Sequence, residues 1–532
     1  MDADSSRAAA LVAGILATLY LLLDPPSADL ATQEYRVALF GNQGFALWDN
    51  GWYAGHHLPG YSVLFPPLGD VVGTRVAGAL AAIAAAALGA RLARDGLGPG
   101  RRAAAASLWF AAATATLLVT GRLTFALGLA VGLAALVVAV EGRSPARAAA
   151  AAALGFATAL ASPLPALFLA LAAIAWGLAR RDARAAWPAA GALLGVAALV
   201  VAFPEGGIEP FAASAFWPAL GATVAVGVAA GPDARVVRTG CALYALALVA
   251  SYLLDTPMGG NATRLGSLVA GPLLVGAVWG VVRGGPARLA AVGALAAALA
   301  YWQWYPPVRD WARAAGDPSV EEAFHAPLLA RLEAERARRG PFRVEVPFTE
   351  NHWEARWIAP RFALARGWQR QLDVERNPLF YDGRLTPARL RRWLDREAVA
   401  FVAVPRVDFD AAGRTEARLV TAGRVPGLRL VWRSRDWRLY AVGAARPLAA
   451  RGPAGATVTA LDPDEIRLRA RRAGDVRLAV RFTPYWRLAE GRGCVQQGPG
   501  DRTLLRLRAA GTVRLVTTFA PGRIRADGPR CA

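Results

Sequence analysis

The chain has 532 residues, of which 55% are hydrophobic and 19% charged, with a net charge of +21 and a mean hydropathy of +0.32. Its apolar residues come in long blocks, a pattern that excludes a disordered chain, a coiled coil and a disulfide-dense secreted module. There is no lysine, so chemistry that needs one, a P-loop or a Schiff base, is closed off.

Residues 1 to 305 contain repeated apolar stretches of transmembrane length, at 8–23, 71–93, 103–119, 123–140, 147–160, 163–179, 187–203, 212–230, 236–254, 265–282 and 287–304. The fold class expected is therefore a polytopic α-helical membrane protein of about eleven spans. The loops test that reading. With the amino terminus and Arg7 in the cytoplasm, the inner loops hold Arg91, Arg94, Arg101, Arg102, Arg143, Arg147, Arg180, Arg181, Arg184, Arg235, Arg238, Arg283 and Arg288. The outer loops hold only Arg36, Arg75, Arg122 and Arg264. This is the alternation that the positive-inside rule predicts, and it gives the basic excess a membrane meaning rather than a nucleic-acid one. An odd number of spans then puts everything beyond about residue 306 outside the cytoplasm. The first span reads as a signal anchor, with no convincing cleavage site after it.

The long first external loop, residues 24–70, is aromatic and rich in Gly and Pro, and a loop of that length is uncommon unless it is folded or functional. It carries Asp29, Glu34 and Asp49, the pair His56-His57, and Trp48, Trp52, Tyr53 and Tyr61. Such groups beside a bilayer suit a site that takes a polar group from a lipid carrier. A carboxylate at a membrane surface can act as a general base, which makes Asp29 a catalytic candidate. Asp29 also suits the N-cap of a helix over 30–40, and the two roles are compatible. His56 and His57 could meet a donor phosphate or simply be polar surface.

Arg122 and Arg264 sit at the starts of spans on the side opposite the arginine-rich loops, so each needs a reason. A guanidinium holds phosphate through two parallel hydrogen bonds, whereas snorkelling to headgroups is the plainer explanation. Asn261 and Thr263 add polar character beside Arg264. Cys241 falls in an apolar span, while Cys494 and Cys531 could pair if their domain lies outside the cytoplasm.

Beyond the last span the composition changes. An amphipathic helix is predicted over 319–339 and another over 387–397, with strands at 342–348, 399–404 and 428–442. From about residue 455, two-residue alternation at 457–461, 465–470, 475–482, 503–508 and 512–519 predicts a small β-sandwich. The domains expected are thus a transmembrane part over 1–305, an extracytoplasmic mixed α/β part over 306–445 and an extracytoplasmic β-sandwich-like part over 446–532. Residues 348–357 mix Glu350, His352 and Trp353 in the manner of a sugar-binding surface, although a strand-end turn with an aromatic plug has the same composition. Tyr485-Trp486 reads mainly as sandwich core.

The early acid after the first span, the amphipathic stretch behind it, the Gly44-Phe45-Ala46-Leu47-Trp48-Asp49 turn and the Gly-rich, Pro-ended exit together resemble the GT-C superfamily of membrane glycosyltransferases. The nearest likeness is to bacterial multi-spanning members with an external C-terminal domain. The resemblance covers the topology of 1–305 and, in sequence detail, residues 25–70. It implies a transferase that takes sugar from a polyprenyl-phosphate donor on the outer face of the cytoplasmic membrane and passes it to a cell-envelope glycan or lipid acceptor. By position Asp29 would be the base, with Glu34 a weaker candidate. Arg264, Arg122, His56 and His57 would hold donor phosphate. Trp48, Trp52, Tyr53, Asn261, Glu350, His352 and Trp353 would meet substrate. The cofactor stays unassigned, because the sequence offers neither an adjacent acidic pair at Asp29 nor a D-x-D in the Thr120-Gly121-Arg122 turn to hold a divalent metal. The rivals are a transporter or lipid flippase, and a non-catalytic envelope scaffold of the same fold.

Overall fold

The computed structural model describes residues 4–278, 285–450 and 452–531. They form two compact units. The first unit comprises residues 1–33, 60–200 and 206–315, and the second comprises 34–59, 201–205 and 316–532.

The first unit is helical. Its elements are α1 (Asp4–Leu23), the first turns of α2 (Ala28–Gln43), α3 (Phe65–Val72), α4 (Thr74–Leu97), α5 (Arg101–Val119), α6 (Leu123–Val140), α7 (Pro145–Ala161), α8 (Pro163–Arg180), α9 (Ala186–Ala202), α10 (Ala213–Ala229), α11 (Arg235–Leu253), α12 (Thr263–Val278) and α13 (Pro286–Ala314). A helix stands at each of the eleven predicted span positions. Seven of these, among the described residues, are long and apolar enough to cross a membrane, whereas α7 and α10 are apolar but only 17 residues each. The end of the predicted span 265–282, with Arg283, lies outside the described residues. The last helix departs from expectation. It does not stop at 304 but runs through Pro306 and Pro307 to Ala314.

Packing in this unit follows from its alanines. The buried face of α4 is made only of Ala and Gly, including Ala77, Gly78, Ala81, Ala85 and Ala86, while Val76 and Leu80 point outward. With lipid as apolar as leucine, helices gain by close backbone approach, and small residues permit it. Accordingly α4 packs against α1, α5 and α6.

The second unit holds the remaining elements. They are β1 (Trp48–Asp49), β2 (His56–His57), α14 (Glu322–Arg339), β3 (Arg343–Glu345), α15 (Glu354–Trp357), β4 (Ala363–Leu364), α16 (Arg370–Arg376), α17 (Pro387–Arg396), β5 (Val399–Pro405), α18 (Ala411–Thr421), β6 (Leu428–Arg433), β7 (Trp437–Val442), β8 (Thr457–Leu461), β9 (Glu465–Ala470), β10 (Gly474–Arg481), β11 (Trp486–Glu490), β12 (Gly493–Gly498), β13 (Arg502–Leu507), β14 (Gly511–Thr517) and β15 (Arg530–Cys531). One sheet has the order β4-β3-β5-β7-β6, with β3 parallel to both β4 and β5, and the β5–β7–β6 pairs antiparallel. The predicted strand 428–442 is therefore a hairpin. Ser434 accepts hydrogen bonds from the backbone of Asp436 and Trp437 and turns the chain there.

The last eight strands make two four-stranded antiparallel sheets, β10-β13-β12-β15 and β11-β14-β9-β8. Ile466, Leu468, Val476, Leu478, Trp486, Val495, Leu505, Val513 and Leu515 fill the core of this part. Three of its strands, Trp486–Glu490, Gly493–Gly498 and Arg530–Cys531, are additions to the predicted set. Cys494 and Cys531 form a disulfide between β12 and β15.

Residues of the first external loop complete both cores of this unit. Trp48 is buried in the sandwich core, and its indole N–H donates to Asn50, whose amide donates to the Asp462 carbonyl. Tyr35, Trp52 and Tyr53 are buried in the α/β core. The Gly51 carbonyl accepts from the Leu364 N–H, and the Tyr53 hydroxyl donates to the Gly367 carbonyl and accepts from the Gln369 N–H.

Candidate active site

Three turns of the first unit converge on one point. The first is the opening turn of α2, which starts at Ala28. Asp29 therefore stands inside the first turn rather than ahead of it as an N-cap, and its carboxylate is favoured there by the positive end of the helix. The second is the tight turn at residues 120–122 between α5 and α6. The third is the short 3-10 turn Gly259–Ala262 that leads into α12.

Each turn is fixed locally. Gly121 has φ of +69°, and a Cβ there would lie 2.4 Å from the backbone nitrogen of Leu30 and 2.5 Å from the Ser27 hydroxyl. Only glycine lets this turn rest on the start of α2. The Tyr244 hydroxyl donates to the Ala262 carbonyl at 2.7 Å and accepts from the Gly266 N–H at 3.0 Å, which pins the first turn of α12. Deeper along that helix, buried Gln303 donates to the Ser267 carbonyl and accepts from the Trp109 indole.

The consequence is a cluster of one carboxylate and two guanidiniums. Asp29 Oδ2 lies 3.5 Å from Arg122 Nε and 3.8 Å from Arg264 Nη2. The side chains keep 33%, 28% and 21% of their surface open, respectively, so the cluster can be reached by a ligand. At contact distance one negative charge faces two positive ones. Tyr61 and Glu209 lie within electrostatic reach of Arg264, and Gln33 donates to the Tyr61 hydroxyl at 2.7 Å. Asn261 is half-buried in the turn ahead of Arg264. Gln33 and Glu209 were not selected from the sequence, and Tyr61 was noted there only as one of the aromatics of the first loop. Their only signal was position beside the first loop or the polar 205–211 segment.

The other residues singled out in the sequence belong to the second unit. Glu34 is 3.5 Å from Arg356 within the second unit. His56 is fully buried, stacked on Trp52, 3.9 Å from Asp49, and neither ring nitrogen has a hydrogen-bond partner. Burial pushes its pKa down to about 3, so it is neutral at pH 7 and offers no charge to a phosphate. His57 lies between Thr483 Oγ1, 3.0 Å from Nε2, and Glu205 Oε1, 3.2 Å from Nδ1. Glu205 in turn is 2.9 Å from Arg376. Burial alone would raise the Glu205 carboxyl, but the Arg376 guanidinium and His57 outweigh it and hold it well below the ordinary range. An acid directly after an apolar span, Pro204-Glu205, was the signal for this contact.

Trp48, Trp52 and Tyr53 are core side chains with at most 1% of their surface open, because the loop that carries them completes two hydrophobic cores. They present no face to a sugar. Glu350 is half-buried and lies 3.7 Å from Arg414. His352 is buried and stacked on Trp368 at 3.4 Å, between Glu354 at 3.7 Å and Asp410 at 3.8 Å. Burial would lower its pKa, but the two carboxylates outweigh that and raise it. Trp353 is buried and stacks on Trp357, so 348–357 is a packed turn. Among the described residues, no group of three or more His, Cys, Asp or Glu side chains is placed to hold a metal ion.

No family model matches the chain, and no curated protein matches it. Among solved structures it is similar to ArnT from Cupriavidus metallidurans in the apo state, with a TM-score of 0.40 and 13% identity, covering 79% of this chain and 94% of that one. At that score and identity the likeness assigns no residue a role.

Proposed function

We propose that the chain is a GT-C-type membrane glycosyltransferase that takes sugar from a polyprenyl-phosphate donor at the outer face of the cytoplasmic membrane and passes it to an envelope glycan or lipid. The observation that carries this reading is the convergence of Asp29, Arg122 and Arg264 from three separate turns. Two arginines that break the charge pattern of the loops meet the one carboxylate placed to act as base.

Asp29 forms ion pairs with both guanidiniums. A donor phosphate competes for them, since bidentate guanidinium–phosphate bonds are strong and two guanidiniums face the same point. That frees Asp29 to accept the proton of the acceptor hydroxyl. The hydroxyl oxygen then bonds to the anomeric carbon as the carbon–oxygen bond to phosphate breaks. The bonding pair leaves on the phosphate oxygen, where the two arginines stabilise the growing charge. A single direct displacement inverts the anomeric centre.

The test uses the full chain in lipid nanodiscs, with polyprenyl phosphate as the binding probe and polyprenyl-phosphate sugars as donors. Arg122→Ala and Arg264→Ala should each weaken binding of the probe about tenfold or more. Asp29→Asn should keep that binding and lose transfer by about 10²–10⁴-fold, the usual contribution of a general base. Binding that ignores both arginines, or full transfer by Asp29→Asn, overturns the reading. Donor flux across sealed vesicles without transfer would replace it with a transporter.

A further inference from the structure

The far end of α6 carries a second polar site. A cavity of about 350 Å³ opens between the loop that joins α6 to α7 and the loop that joins α8 to α9, lined by Arg143, Ser144, Arg181, Asp182, Arg184 and Trp187. All of these residues belong to the first unit. The 18 residues of α6 separate it from Arg122, a rise of about 27 Å, close to the hydrocarbon thickness of a bilayer. The cavity therefore stands at the headgroup level of the leaflet opposite the Asp29 cluster.

Its charge is unbalanced. Asp182 is occupied by Arg184, which reaches it at 2.6 Å, and Arg184 also donates to the Val140 carbonyl at 2.7 Å. Glu141 beside the cavity is taken by Arg91 and Arg147. Arg143 and Arg181 are exposed, Arg143 reaches Asp182 only at longer electrostatic range, and the lining holds three arginines against one acid. Ser144 caps the start of α7 by accepting from the Arg147 N–H, and the positive end of that helix faces the same loop. Trp187 is 50% exposed at the rim, the place where an indole anchors at the membrane interface.

We propose that this cavity binds the phosphate-bearing headgroup of an anionic phospholipid of the inner leaflet. Guanidiniums outside close ion pairs, a polar cap, a half-open recess and an interfacial tryptophan are what such a headgroup needs. The site is independent of the transfer reaction, and does not depend on the glycosyltransferase reading.

Native mass spectrometry of the full chain, from micelles containing phosphatidylglycerol and phosphatidylcholine, tests it. The wild-type chain should retain phosphatidylglycerol preferentially. Arg143→Gln alone should lower that retention about fivefold, and Arg143→Ala with Arg181→Ala about twenty-fold. Arg235→Ala with Arg238→Ala removes the same charge from the same side outside the cavity and should stay within about twofold of wild type. Equal losses in the two double variants would overturn the proposal in favour of a general basic surface. Displacement of the lipid by inorganic phosphate at matched concentration would overturn it in favour of a free-phosphate site. The single Arg143→Gln variant decides the question if the double variant fails to fold.

Discussion

Asp49 and Glu205 are both buried carboxylates of the second unit, yet they are shifted in opposite directions. Burial pushes Asp49 up to about 7, only partly offset by the Gly51 N–H at 2.7 Å and the Tyr35 hydroxyl at 2.9 Å. Glu205 has Arg376 and His57 against it and is held low. A raised carboxyl stabilises the fold fully below its ordinary pKa, and that stability is lost as pH rises through the folded value. A depressed carboxyl does the reverse and loses its contribution as pH falls below the ordinary range. Asp49→Asn, which keeps the shape of the protonated form, should therefore raise the unfolding midpoint at about pH 8 and change it little at about pH 4. The difference corresponds to at most on the order of 4 kcal/mol. Tryptophan fluorescence during thermal unfolding at the two pH values reads it, and an equal shift at both would show that Asp49 is not the titrating group. At this scale Asp29, Arg122 and Arg264 were legible because two of them break a charge rule. The burial of Trp48, Trp52 and His56 was not, since a polar aromatic loop has one composition whether it lines a groove or closes a core.

Among the elements, the turn between α5 and α6 has the most to do with the site. Its glycine sits in a left-handed conformation against the α2 backbone. Gly121→Ala carries a conformational cost of about 1 kcal/mol and a clash that only a shift of the turn relieves. Such a shift moves Arg122 away from Asp29. The expected outcome is a loss of polyprenyl-phosphate affinity comparable to that of Arg122→Ala, with helix content unchanged by circular dichroism. Unaltered affinity would mean that the turn does not set the arginine. Helix positions were readable at this scale because each is a long apolar run between arginine-bearing loops. The sandwich strands that alternate cleanly were readable too. Gly493–Gly498 was not, as it combines polar Gln496 and Gln497 with flanking glycines. The 428–442 hairpin was hidden because its turn is made by the Ser434 side chain rather than by Gly or Pro.

For the molecule as a whole, the sidedness of the membrane links the first loop, the arginine loops and the cysteines. The Cys494–Cys531 disulfide closes a loop of 37 residues, a constraint worth about 4 kcal/mol on chain-entropy grounds. Such a bond persists in an oxidising compartment, which agrees with an extracytoplasmic C-terminal region, the side that an odd number of spans from an inner amino terminus requires. On the orientation expected from the arginine loops, Phe45, an exposed residue of the first loop, would lie outside, and Ser144, at the rim of the arginine cavity, inside. In a Cys241→Ala background, where the remaining cysteines are paired, Phe45→Cys should react with a membrane-impermeant maleimide in intact cells. Ser144→Cys should react only after the membrane is opened. The reverse pattern would invert the chain in the bilayer, moving the Asp29 cluster to the cytoplasmic face, and would remove both the external donor and the inner-leaflet lipid from consideration together. Labelling of both positions in intact cells would instead mean that an even number of the helices α4, α5 and α6 cross the bilayer, since those three separate Phe45 from Ser144.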